Sequence, residues 1–441
     1  MTVKEFINDE KIRREFVSDL ASLIEIPSVV AEQDGIYPFG KNCARAVDKA
    51  LEIAERFGFR TENHDYHCAS AIYGDGEKEV GIIAHLDVVP AGSGWTYEPY
   101  KLTIDKDLYI GRGTNDDKGP LLCALYALRY LAENGIKLPF AVRVIMGSDE
   151  EVGSSDLEYF KSVRKAPVFS FTPDAEYPVS IGEKGIMRFV ICLGKLDDSI
   201  TDIGAGTVTN AVPGTAFAVV NGKRVEVTGR TAHASMPESG INAISLLVDE
   251  LEKNGLVPEN DKTKFAFLKE AADDYKGKFF GIDFADEYFG YLTCVESVLY
   301  IGEDGKAYQK YDVRFPMSGC FEDLDAKVRA KAAGYGFDVV ECHAGNGYFK
   351  SPDSAEIKAL TSACEKVLGH ECKPYTMGGG TYARSMPGAV AFGGRITECF
   401  GRLGEGRGSC HDVDEYYAVE EADKSIEIFV LSLKNLAEVI K

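Results

Sequence analysis

Three apolar runs in the first 180 residues end in groups that can hold a metal or move a proton. Gly81-Ile82-Ile83-Ala84 runs into His85-Leu86-Asp87. On extended chain, residues two apart share a face. Asp87 can therefore accept an imidazole N–H from His85, fix its tautomer and leave the other ring nitrogen for a metal. A strand-end histidine satisfied by an ordinary neighbour has the same spelling. The run ending at Gly147 leads into Ser148-Asp149-Glu150-Glu151, three successive acids that repel one another unless a counter-charge is near. The run Val168–Thr172 leads into Pro173-Asp174-Ala175-Glu176. Open α/β sheets place their sites at such carboxyl ends of strands. Two further groups lie elsewhere. Asp116-Asp117-Lys118 opens an apolar helix, where a carboxylate pair can also be a charged cap. His411 sits in Ser409-Cys410-His411-Asp412-Val413-Asp414-Glu415, ahead of the last helix.

Together these groups say more than any one of them. Two histidines with three or four carboxylates form a ligand set for two borderline divalent ions, Zn²⁺ or Mn²⁺. The set lacks the oxygen-only character of a calcium site. With one carboxylate left over as a base, it suits two-metal hydrolysis, in which the ions sit about 3.5–4 Å apart.

The elements that must carry these residues follow from periodicity. Apolar positions at helical spacing predict helices over 3–25, 41–57 and 118–133, and short apolar runs predict strands over 80–84, 140–147 and 168–172. Strand and helix alternating at this spacing give an α/β sheet covered by helices. From about residue 185 the pattern changes to hairpin-like strands at 186–193, 216–220 and 223–228, the last two joined through Asn221-Gly222. Helices over 240–254 and 324–334, two strands within 299–315 and a strand over 337–342 complete an α+β segment. After Ser351-Pro352 the α/β texture returns, with helices over 353–368 and 414–439 and a strand over 389–392. The expected plan is a three-layer α/β/α domain split in sequence, 1–184 and 351–441, with an α+β domain, 185–350, inserted.

Composition narrows the function. The chain has 441 residues, 49 basic and 70 acidic, for a net charge of −21. Such a field repels phosphate, which argues against nucleic acid and anionic membranes as partners. The first residues lack a basic patch followed by an apolar run, and no stretch approaches the length of a membrane span. Eleven cysteines without a Cys-x-x-Cys pair read as reduced thiols of a cytoplasmic protein.

The motifs His-Leu-Asp-Val-Val-Pro-Ala-Gly-x-Gly-Trp (85–95), Gly-Arg-Gly-Thr-x-Asp-Asp-Lys-Gly-Pro (111–120), Asp-Glu-Glu (149–151) and Pro-Asp-Ala-Glu-Tyr-Pro (173–178) resemble those of a known group. It is the dizinc exopeptidases and deacylases that include carboxypeptidase G, aminoacylase, succinyl-diaminopimelate desuccinylase and carnosinase. The resemblance is strongest to the bacterial carnosinase-like dipeptidase V branch, and it implies a two-domain fold with a ferredoxin-like lid. It also implies that His85 and Asp174 hold one ion, that Glu151 and His411 hold the other, and that Asp116 bridges both. Asp87 would orient His85, and Glu150 would be the general base for a bridging water. From the lid, His233 in Gly229-Arg230-Thr231-Ala232-His233 would donate to the developing oxyanion, with Asn210 as a second polar contact. Arg314 in Asp312-Val313-Arg314 would take the substrate carboxylate, although an arginine on a strand face can equally sit in a salt bridge. In Met377-Gly378-Gly379-Gly380-Thr381, Gly379 and Thr381 would meet the substrate's terminal carboxylate.

The resemblance thus implies a dipeptidase acting on unblocked dipeptides, β-alanyl ones among them, with two Zn²⁺ or Mn²⁺ ions and a closing lid. A deacylase of N-acyl amino acids or an aminotripeptidase is the alternative within the family. The long inserted segment points to a monomer. His64, His67, His343 and His370 have no partner motif and are expected to be non-ligands, and Trp95 is expected to pack. One departure stands out: many relatives carry Gln or Met-Pro after the last histidine, where this chain has Asp412-Val413-Asp414.

Overall fold

The apolar runs that end in candidate ligands lie side by side. In the computed structural model, which describes residues 1–441, the strands Glu79–His85, Ala141–Gly147 and Phe169–Thr172 are parallel neighbours. Ala389–Ala391 extends this parallel core beyond Phe169–Thr172 and pairs in turn with Ser180. On the other side, Cys68–Tyr73 and Arg60–His64 add antiparallel strands at the edge. These two strands are absent from the sequence expectation: Arg60–His64 is polar and only partly buried, and Cys68–Tyr73, although buried over Cys68–Ile72, is built mostly of small residues with a weak strand signal.

Parallel strands covered on both faces are continuous apolar runs, and Ala141–Gly147 is buried at every position. The helix Lys118–Glu133 is buried from Lys118 through Leu131, the signature of a helix enclosed on all sides. It packs against Val419–Val439, which in turn packs against Ala355–Leu368. Gly119 allows the tight entry to this helix, since a Cβ there would run into the Thr114 carbonyl oxygen.

Two expected helices begin differently. The first is broken into Val3–Asn8 and Glu10–Ile24, because the Asp9 carboxylate turns back to accept the N–H groups of Lys11 (2.8 Å) and Ile12 (3.1 Å). The last begins at Val419 rather than 414, because Tyr416–Ala418 is a strand paired with Leu108–Ile110.

The chain forms two compact units. One comprises 1–181, 350–375 and 381–441, and the other 182–349 with 376–380. The second unit is an antiparallel seven-stranded sheet in the order Lys223–Thr228, Thr215–Val220, Ile200–Ala205, Thr293–Ile301, Ala307–Phe315, Gly185–Gly194, Asp338–Gly345. The helices Ala243–Lys253, Lys262–Ala272 and Phe321–Gly334 contribute Leu247, Phe267 and Val328 to its core, opposite Phe189, Tyr311 and Val313 of the sheet. The glycine-rich stretch 376–380, expected to go with 351–441, packs in this unit. No helix in the chain is long and apolar enough to cross a membrane.

Candidate metal centre

Five residues from five separate motifs meet at the carboxyl ends of the parallel strands. Asp116 is at their centre. Its Oδ1 lies 2.9 Å from His85 Nε2, and its Oδ2 lies 3.1 Å from His411 Nε2. His411 Nε2 is also 3.1 Å from Glu151 Oε2. The donor atoms of His85, Asp116 and Asp174 lie within 4.8 Å of one another, as do those of Asp116, Glu151 and His411. These triplets share Asp116, and each uses a different histidine. His64, His67, His343 and His370 belong to no such group.

This donor set fits divalent ions. Ligand atoms around a tetrahedral ion with bonds near 2.0–2.1 Å are separated by roughly 3.3 Å, a few tenths of an ångström more than the 2.9–3.1 Å between imidazole and carboxylate here. The carboxylates of Asp116 turn one oxygen to each triplet, the arrangement of a bridging ligand. Electrostatics points the same way. Burial together with the neighbouring Asp116 charge pushes Asp174 up to about 7. Burial, with Asp174 and Glu151 nearby, raises Glu150 well above the usual carboxylate range. Hydrogen bonding to Asp116 and Glu151 raises His411 to about 11. Carboxylates that repel and imidazoles that favour positive charge are the mark of a site that cations relieve.

Each ligand is held by backbone and buried neighbours. His85 Nδ1 faces the Asp87 main-chain oxygen at 3.0 Å and its carboxylate at 3.5 Å, which leaves Nε2 for the centre. The Asp87 carboxylate also accepts the Glu151 N–H at 3.0 Å, so one acid positions ligands on two strands. Asp117 accepts the His85 N–H at 3.2 Å rather than capping the helix. Lys118, next to the Asp pair in sequence, donates to the carbonyl oxygens of Leu23 and Ile26, both at 2.9 Å. His411 adopts a left-handed backbone with φ of 66° and is the most exposed ligand, its side chain 55% accessible. Glu150 makes no hydrogen bond to another protein group, unlike Glu151 beside it.

In the inserted unit the expected residues fall into two clusters. Ala211–Val212 pairs with Ala232–His233, and the Asn210 carbonyl accepts the Ala234 N–H at 2.9 Å, which brings Asn210 beside His233. The Ser235 N–H donates to His233 Nδ1 at 3.2 Å, so the neutral ring carries its proton on Nε2. Gly378 lies against Ser235, where a Cβ would come within 2.7 Å of the serine Cβ. Arg314 Nη1 donates to the Gly378 carbonyl at 3.2 Å. The Arg314 fork, however, is spent on Asp312, with Nε at 2.5 Å and Nη2 at 3.1 Å. The salt-bridge alternative for Arg314 is therefore realised, and a bidentate grip on substrate through that edge is not available. Thr381, in the other unit, is buried, and its hydroxyl accepts the Ala383 N–H at 3.1 Å as the cap of a short turn.

Against known proteins, residues 81–435 match the model of Peptidase family M20/M25/M40. The chain belongs to this family. A β-Ala-Xaa dipeptidase from Lactobacillus delbrueckii subsp. lactis is 30% identical, over 96% of both chains. Among solved structures, a di-peptidase from Saccharomyces cerevisiae superimposes with a TM-score of 0.62 at 16% identity, over 100% of this chain and 98% of its own. Human carnosine dipeptidase 1 does so with a TM-score of 0.59 at 17% identity, over 99% of each. Both structures share the mixed α/β fold of this chain.

The supporting roles of several residues of this M20 chain escaped the sequence reading. Glu415 is fully buried, and its Oε1 accepts the N–H groups of Gly113 (3.0 Å), Asn115 (2.9 Å) and Asp116 (3.1 Å). Its Oε2 accepts Arg112 Nη1 at 2.6 Å, and Arg112 Nη2 reaches the His411 carbonyl at 3.2 Å. Trp95 packs, as expected, with its ring 5.2 Å from the Arg112 guanidinium carbon. Asp156 accepts the N–H groups of Ser148 (2.7 Å) and Asp149 (3.1 Å) and the Tyr382 hydroxyl, which fixes the strand end leading to Glu150. Gly147 is needed there, because a Cβ would strike both Tyr382 and Asp156. Asp414, left without a role by the sequence, accepts the N–H groups of Thr96 (2.7 Å) and Tyr97 (3.2 Å) and pairs with Arg407.

Proposed function

We propose that this M20 chain is a metal-dependent dipeptidase that hydrolyses unblocked dipeptides, β-alanyl dipeptides among them. The observation that carries the reading is Asp116, whose two oxygens face His85 and His411 separately, with the Glu150 carboxylate close to the Asp174 and Glu151 charges and without a side-chain hydrogen bond. The full-length relation to a β-Ala-Xaa dipeptidase supports the substrate class.

His85 and Asp174 would hold one ion, Glu151 and His411 the other, and Asp116 would bridge them. Zn²⁺ is the first candidate and Mn²⁺ the second, since both accept imidazole with carboxylate. Such ions supply Lewis acidity toward a peptide carbonyl and a lowered pKa for water. The remaining steps belong to the chain. The Glu150 carboxylate takes the proton of the attacking water and returns it to the leaving amine nitrogen. Its burial favours the protonated form and so suits the second half of that transfer. Asp87 holds the His85 ring and the Glu151 backbone in register. His233 offers its Nε2 proton to the oxyanion of the tetrahedral intermediate, with Asn210 beside it. Arg314 contributes charge and holds the Gly378 loop, where the Gly379 backbone meets the substrate's carboxylate. Thr381 shapes the end of that loop.

The test is release of amino acids from a panel of free dipeptides, β-Ala-His, free tripeptides and N-acetyl amino acids, by protein stripped of metal and reloaded with Zn²⁺ or Mn²⁺. Metal-dependent cleavage of free dipeptides, lost in Glu150→Ala, is expected. Cleavage confined to N-acetyl amino acids would move the chain to the deacylase branch, and turnover of tripeptides alone to the aminotripeptidases.

A further inference from the structure

Arg395 differs from the buried arginines of the same unit. Arg112 and Arg143 pair with carboxylates at 2.6 and 2.7 Å, whereas no carboxylate lies within ion-pair distance of Arg395. It closes the strand Gly394–Arg395, which runs parallel to Ala175–Glu176 with Gly394 opposite Ala175. That register puts it just beyond Asp174. Its guanidinium carbon lies 4.1 Å from the Phe400 ring centroid, so stacking fixes the plane of the fork and leaves its edge for hydrogen bonding. Its one polar side-chain contact is a weak acceptor: Nη1 donates to Cys410 Sγ at 3.2 Å. The same sulfur accepts from Asn115 Nδ2 at 3.5 Å. Cys410 precedes His411 and Asn115 precedes Asp116, so the guanidinium reaches the point where both ligand segments meet.

Nearby acids do not neutralise it. Glu421 is turned to the N–H groups of Ile396 (2.8 Å) and Ala418 (2.9 Å). Glu176, paired with Arg395 only through the backbone, makes no ion pair. A half-buried guanidinium with a flat hydrophobic backing and no anion is built to receive one. In a peptidase that anion is a carboxylate of the peptide.

Resting on the dipeptidase reading, we propose that Arg395 binds a carboxylate of the substrate and so sets specificity. The carboxylate can be an acidic side chain at either position or the free C-terminus, and three pairs of substrates separate them: Asp-Ala against Asn-Ala, Ala-Asp against Ala-Asn, and Ala-Ala against its C-terminal amide. Ratios of kcat/KM within each pair are measured on the metal-loaded enzyme and on Arg395→Gln. At least one acid-to-amide ratio is expected to be tenfold or more in the wild type and to fall at least tenfold in the variant. Arg395→Lys keeps the charge without the fork and is measured alongside, with an intermediate ratio expected. All three ratios within threefold of the wild type in both variants would overturn the assignment while leaving the dipeptidase intact. Cleavage of none of the dipeptides by the wild type would instead overturn the dipeptidase reading, and this assignment with it.

Discussion

Replacing Glu415 by glutamine tests whether one buried carboxylate organises both halves of the metal centre. The substitution is isosteric, so packing is nearly conserved. The amide oxygen can still accept from Gly113, Asn115 and Asp116, but without charge, and its NH₂ faces the Arg112 guanidinium. Hydrogen bonds to a charged group contribute about 1.5–3 kcal/mol and neutral ones about 0.5–1.5 kcal/mol. Leaving Arg112, 1% exposed, without its partner is the larger effect, since breaking a buried ion pair costs about 3–5 kcal/mol. These contributions overlap, and the expected loss is about 3–5 kcal/mol in urea-induced unfolding. The loop bearing Asp116 and the Arg112 contact to the His411 carbonyl both relax, so metal affinity measured by chelator competition should fall roughly 10–100-fold. Arg112→Met combined with Glu415→Gln removes both charges and should cost less than the sum of the single changes. Unfolding within about 1 kcal/mol of the wild type, a loss smaller than a single charge-assisted hydrogen bond, together with unchanged metal affinity, would refute the argument.

Other consequences can be checked directly. Glu150→Gln should keep its metal content by elemental analysis while kcat falls about 10²–10⁴-fold, the usual loss of a general acid–base. Asp116→Asn removes the shared bridging charge, and two-step metal titration should lose its tighter step. His233→Ala should lower kcat by about 10²-fold or more, as loss of an oxyanion donor does, with metal affinity unchanged. Asp156 is pushed up to about 7 by burial, despite its hydrogen bond from Tyr382. Its folded-state proton affinity exceeds that of the unfolded chain, so the stability linked to this proton is complete below about pH 4 and lost as pH rises through 7. The wild type should therefore lose up to roughly 4 kcal/mol relative to Asp156→Asn between pH 4 and 8, and parallel unfolding midpoints across that range would disprove it.

The sequence made the candidate ligands legible because chemistry and position coincide in short stretches at strand ends. His85, Glu151 and Asp174 each follow an apolar strand, so a residue type that binds metal stands where an α/β sheet opens its site. The residues that hold them did not announce themselves, because their partners are far along the chain. Arg112 and Glu415 are 303 positions apart, and Asp156 and Tyr382 are 226 apart. No local periodicity encodes such a pair, and an acid before a helix reads as a cap until the fold shows what it faces. Arg314 is the opposite case. Asp312 and Arg314 lie two apart on the strand Ala307–Phe315, which puts their side chains on one face, and the tripeptide Asp-Val-Arg already spells the ion pair. The same rule that joins His85 to Asp87 thus ties the Nε–Nη2 edge of Arg314 to Asp312. An arginine with a carboxylate two residues away on a strand is better read as positioned by that carboxylate, and one such as Arg395, with none in reach, as awaiting its anion.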